Sequence, residues 1–156
     1  MDEDGESKGY IRKTYNNFLK RIFDFIGSVN FINRYEVLDS DEKIIFQSKR
    51  GSPFKWRTYH AEYYHESDSF RFEMKQKDLF KVPDQTRFLF DGTYFDLKAE
   101  FGRWAVITEE KSRKQIARWR ISFIPPIDAS FEILDESCRR HELLFLGAFH
   151  TYLYGE

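Results

Sequence analysis

The chain has a single cysteine, Cys138, so no internal disulfide can hold it together. That absence makes a reducing, cytoplasmic setting the expectation, one that extends to the periphery of a membrane. An excess of either charge is missing too. Lys and Arg number 25 against 26 Asp and Glu, a formal net charge of −1, so no global field draws the protein to nucleic acid. The first residues, Met1-Asp-Glu-Asp-Gly-Glu6, lack the basic and apolar regions of a secretory signal. No apolar run is long enough for a transmembrane helix. There is no H-x-x-x-H or C-x-x-C spacing to hold a metal. No nucleophile, base and oxyanion group converge, which points away from an enzyme. Proline is scarce, and Pro53, Pro83, Pro125 and Pro126 all fall where strands must stop.

What the chain does have is aromatic surface. Aromatics make up 19% of it, with 17 Phe and 9 Tyr, and such residues favour strands and fill wide interiors. At 156 residues the chain is long enough for one domain with a sizeable core. Residues 1–9 read as a disordered acidic tail. Residues 10–28 read as an amphipathic helix: Ile11, Tyr15, Phe18, Leu19, Ile22 and Ile26 fall on one stripe, and Gly27-Ser28 ends it. Residues 29–156 read as the main domain.

From Phe31 the hydrophobic period is two. Phe31–Leu38 and Lys43–Ser48 flank the polar turn Asp39-Ser-Asp-Glu42. Phe54–Tyr64 and Ser69–Lys75 follow, then a short strand over Asp78–Val82. Thr86–Phe90 and Thr93–Lys98 flank Asp91-Gly92, the strongest hairpin signal in the chain. Arg103–Ile107, Lys114–Phe123 and Ala129–Leu134 complete about ten short strands, a pattern that favours an antiparallel sandwich or barrel. The chain then turns helical, with Asp135 as the expected N-cap. Leu143 to Leu153 is apolar on nearly every side, and eleven residues suit a buried core helix better than a membrane span. The expected fold is therefore mainly β: a closed antiparallel β-barrel wrapped around a central hydrophobic C-terminal helix, with an extra amphipathic helix at the N-terminus.

Three stretches carry the strongest pattern: Arg34-Tyr-Glu-Val-Leu-Asp-Ser-Asp-Glu-Lys-Ile-Ile-Phe46, Phe90-Asp-Gly-Thr-Tyr-Phe-Asp-Leu97 followed by Gly102-Arg-Trp-Ala-Val106, and Glu142-Leu-Leu-Phe-Leu-Gly-Ala-Phe149. In that order they resemble the opening hairpin, middle hairpins and threading helix of the tubby C-terminal-like fold. The similarity lies with the branch of LURP-one-related proteins and their relatives, which include the phospholipid scramblases. It spans roughly residues 31–155. The resemblance implies a closed barrel with no catalytic triad and no obligatory cofactor, and some relatives bind phosphoinositide or other anionic lipid. The chain departs from the scramblases in having no cysteine-rich run, proline-rich arm or acidic calcium loop. The basic headgroup residues of tubby itself find no residue-by-residue counterparts here.

Two basic groups are the candidate lipid-binding or partner-binding sites. Arg12, Lys13, Lys20 and Arg21 flank the N-terminal stripe, and against Asp24 they leave it a net +3. Such a helix can lie on an anionic membrane surface or enter a partner's groove. The plainer reading is a stripe packed on its own barrel. Arg118 and Arg120 share an outward face, with Lys111, Arg113 and Lys114 just upstream, and can hold a phosphate group. The plainer reading there is a solvated face. The expected function is a non-enzymatic binding module that contacts anionic lipid or a membrane surface. The alternative is a protein-interaction or structural domain. His60 and His65 are five apart and so face opposite sides of a strand, which excludes a shared metal. His150 reads as a core histidine. Cys138 with His141 three residues on lacks the third group of a nucleophilic site. Trp56, Trp104 and Trp119 are assigned to the inner face.

Overall fold

The computed structural model describes residues 9–14, 34–51, 57–77, 85–99, 104–122 and 128–154. Ten strands follow in chain order: β1 (Gly9–Thr14), β2 (Arg34–Asp39), β3 (Ile44–Arg50), β4 (Thr58–His65), β5 (Asp68–Gln76), β6 (Gln85–Phe90), β7 (Thr93–Lys98), β8 (Ala105–Glu109), β9 (Gln115–Ser122) and β10 (Asp128–Ile133). Each pairs antiparallel with the next, so the order across the sheet is the order in the chain. The turns explain the register. At Asp91-Gly92 both central residues take positive φ, 46° and 70°, as a type I′ hairpin requires. In the β2–β3 turn the Asp39 carboxylate accepts from the amides of Asp41 and Lys43, at 3.0 and 2.9 Å, and holds the reversal shut.

Period-two patterning then sorts the two faces. In β5, Phe72 and Met74 are buried while Arg71, Glu73 and Lys75 are exposed. Inward rings from β3 to β7 form one core with the C-terminal helix, α1 (Glu142–Tyr154). A six-residue 3-10 helix, Glu136–His141, leads into α1, and Asp135 caps this turn by accepting from the Ser137 amide.

The helix sits where its composition demands. Leu144, Phe145, Ala148, Phe149 and Thr151 expose 1% or less of their surface, and each fully buried Leu or Phe side chain is worth about 1.5–3 kcal/mol. Its neighbours come from distant parts of the sheet. The His150 ring meets Tyr35 of β2 at 4.7 Å, Phe145 meets Phe95 of β7 at 5.5 Å, and Phe149 meets Phe131 of β10 at 6.1 Å. Gly147 lies against the Phe46 ring of β3. A flat sheet cannot place β2, β3, β7 and β10 around one thirteen-residue helix, so the sheet curls around it.

Two expectations are corrected. The barrel is not closed by hydrogen bonds: among the described residues β1 and β10 are the ends of the sheet. Phe131 of β10 packs on Phe149 of the helix and Ile11 of β1 packs on the same core, contacts that non-directional apolar burial permits without a ladder. The N-terminal amphipathic helix does not begin at Tyr10, because Gly9–Thr14 is a strand paired with β2 from Gly9↔Asp39 to Thr14↔Arg34. A pairing edge outweighed a helical period there. The rest of residues 10–28 lies outside the described residues, as does the strand expected over Asp78–Val82.

Candidate functional site

Of the basic residues predicted at the N-terminus, Arg12 now has a different role. On β1 it stands directly across from Glu36 of β2, to which it donates from Nη2 at 2.7 Å and from Nε at 3.2 Å. Glu36 is 3% exposed and is approached from its other side by Arg34 Nε at 3.2 Å. The bond to Glu36 raises the Arg12 pKa. The charge of Arg12 is therefore used in tying β1 to the sheet. Lys13 pairs through its backbone with Tyr35. Lys20 and Arg21 lie outside the described residues.

Arg118 and Arg120 do share the outer face of β9. Arg118 lies opposite Glu132 of β10 and Arg120 opposite Ser130. Arg118 donates to Glu132 from Nε at 2.5 Å and its Nη2 sits at the same distance. Its guanidinium carbon also lies 4.5 Å from the centre of the Trp104 ring, and that of Arg120 lies 6.0 Å from it. Both distances are those of a cation over an aromatic face. Arg120 is exposed and makes no ion pair among the described residues. Upstream, Lys114 is committed to Asp135 at 2.7 Å.

Trp104 was assigned to the wrong face. Ala105 and Ile107 of β8 are buried, at 4% and 0% exposure, so strand parity sends Trp104 and Val106 outward. Alternation with polar residues is what points Trp104 inward, but Trp104-Ala-Val-Ile107 is an unbroken apolar run in which alternation does not pick a face. Trp119 is on the inner side, 6.4 Å from Phe131, and its indole N–H finds no acceptor among the described residues. Trp56 lies outside them.

The remaining candidates do not assemble a reaction centre. His60 is exposed and faces Glu73 at 3.3 Å. His65 turns toward Tyr63, and no group of three His, Cys, Asp or Glu able to hold a metal exists among the described residues. His141 bonds Tyr63, not Cys138. Burial raises the Cys138 thiol above its ordinary pKa, with the Ser137 hydroxyl 3.9 Å from the sulfur, the opposite of an activated nucleophile. Burial lowers His150 to about 4, so it is neutral in the core.

An antiparallel meander curled around a buried C-terminal helix, with basic and aromatic groups on its outside, defines a mainly β domain of the helix-filled class. The sequence model of the family described as Tubby C-terminal like domain matches residues 1–155. The chain belongs to that family over its whole length, including the first strand, which the residue-level resemblance had left out. Comparisons with the curated proteins and with the solved structures find no match. No described helix is long and apolar enough to cross a membrane.

Proposed function

We propose that the protein is a non-enzymatic, cytoplasmic binding module that meets an anionic membrane surface through the corner formed by Trp104, Arg118 and Arg120. One observation carries this reading: Arg120 is an exposed cation beside an aromatic plate, with no carboxylate holding it among the described residues. An indole that orients a guanidinium reduces the entropy lost when the guanidinium takes a phosphate oxygen. Arg118 is the second cation, restrained by Glu132. Membership in the family suggests a binding module. The N-terminal route through Arg12 is weakened by its pairing with Glu36. That pairing favours the alternative for that segment, a structural stretch docked on its own sheet.

Co-sedimentation with phosphatidylcholine vesicles, with and without phosphatidylserine, tests the proposal. Salt-sensitive binding to the anionic vesicles alone is expected. Arg120→Ala weakens it, and Glu132→Gln, which releases Arg118, strengthens it. Absence of salt-sensitive binding removes this reading.

A further inference from the structure

Where the chain passes from the 3-10 helix into α1, four side chains form an oriented chain of hydrogen bonds. Arg140 Nε donates to His141 Nε2 at 3.0 Å. The Tyr63 hydroxyl lies 3.2 Å from His141 Nδ1 and 3.4 Å from His65 Nδ1. His65 Nε2 in turn faces the Glu66 carboxylate at 3.9 Å. A neutral imidazole has one donor and one acceptor, so the donation from Arg140 assigns every proton. His141 Nε2 accepts, and its proton sits on Nδ1 and is given to the Tyr63 oxygen. The Tyr63 hydroxyl gives its own proton to His65 Nδ1, and the remaining His65 proton points at Glu66. The chain joins the last residue of the 3-10 helix to the end of β4 and the β4–β5 turn. Rings of Phe90 and Tyr63 pack on His141 at 5.1 and 5.7 Å, and His65 lies 4.9 Å from it.

We propose that this chain is an acid-sensitive latch: a proton taken up at His141 Nε2 breaks it and releases the 3-10 helix, the lead-in to α1, from the β4–β5 turn. An extra proton on Nε2 faces the Arg140 N–H, so a donor meets a donor and a cation meets a cation. The Tyr63 hydroxyl has its acceptor in His65 Nδ1, at 3.4 Å. With both rings charged, two cations stand 4.9 Å apart. The groups that oppose these effects are Asp91 in the β6–β7 turn, which attracts a charged His141, and Glu66 beside His65. Both are exposed, and water screens them. Glu142 and Arg140 act on Tyr63 with opposite signs. Burial, then Arg140 and His65, lowers His141 below its ordinary pKa, and burial raises Tyr63 to about 12, keeping its hydroxyl protonated. The neutral network is thus the folded form, and it loosens as pH falls below the ordinary imidazole range of about 6.5.

The readout must be local, because His150 also titrates on the acid side. Hydrogen exchange of the full chain, corrected for the intrinsic rate, is compared at pH 7.5 and 5.5. In the parent, protection over 138–143 is expected to fall at the lower pH by at least threefold more than in His141→Gln, whose amide still donates to Tyr63 but takes up no proton. Protection over 144–152, which carries the loss due to His150, falls alike in both. The same fall over 138–143 in parent and variant overturns the latch. If the glutamine variant does not fold, Arg140→Gln decides. It should raise the midpoint at which the His141 ring signal titrates by NMR, and an unmoved midpoint overturns the proposal.

Discussion

Gly147 shows how one residue sets the distance between the helix and the sheet. A Cβ built there would collide with Cδ1, Cγ and Cε1 of the Phe46 ring. Phe46 is itself fully buried and cannot swing aside into solvent. Gly147→Leu should therefore overpack the centre and cost about 1–3 kcal/mol or more, read as a lowered midpoint in chemical denaturation. A parent-like midpoint would mean that β3 does not press on the helix. In the sequence Gly147 stands inside an apolar run, where the lack of a side chain lets another element approach closely. The ring it meets was not legible, since sequence distance says nothing of which strand arrives there. Trp104 shows the reverse: residues 104–107 are all apolar, so alternation does not say which of them face in, and only the burial of Ala105 and Ile107 puts Trp104 outside.

At the scale of elements, α1 is held to β3 by more than apolar contact. Ser48 and Thr151 share a hydrogen bond of 2.7 Å, and both are buried. Polar groups in a dry core are costly unless paired. Thr151→Val strands the Ser48 hydroxyl and is expected to cost about 1–3 kcal/mol. Adding Ser48→Ala should recover part of that loss, so the double variant is less destabilised than the two single costs added together. Strict additivity would show the bond to be idle. Elsewhere the strands are tied across their outer faces. Burial alone would raise Asp96, yet bonds from Arg87 Nε at 2.8 Å and Lys77 at 3.2 Å hold its carboxyl below the usual range. The β6–β7 hairpin was readable because Asp-Gly admits few alternatives. β1 was not, because Ile11 and its neighbours carry a helical spacing while Arg12 finds Glu36 only once β2 lies beside it.

For the whole molecule, the same dry interior makes stability depend on pH. His150 sits in α1 against Tyr35, and burial lowers it from 6.5 to about 4. Between those values the unfolded chain binds a proton that the folded chain refuses, so stability rises with pH there. It is complete above about 6.5 and is lost as pH falls toward 4, a change on the order of 3 kcal/mol from this residue. Thermal melts should show the loss across that range, and His150→Leu should flatten it, since leucine fills much of the ring's volume without titrating. A slope unchanged by that substitution would place the titration elsewhere.

The sequence by itself determined that strands with period-two faces precede a helix apolar all round, and hence that the helix must be enclosed. Those are local facts, since alternation and turn chemistry act within a few residues. Only the tertiary structure decided that, among the described residues, the sheet ends at β1 and β10 without a closing ladder. It alone set Arg12 against Glu36, Trp104 beneath Arg118 and Arg120, and His65 and His141 on one tyrosine. Each of these joins residues far apart in the chain, and their meeting depends on how far the sheet curls, which is set by the bulk of the helix inside it.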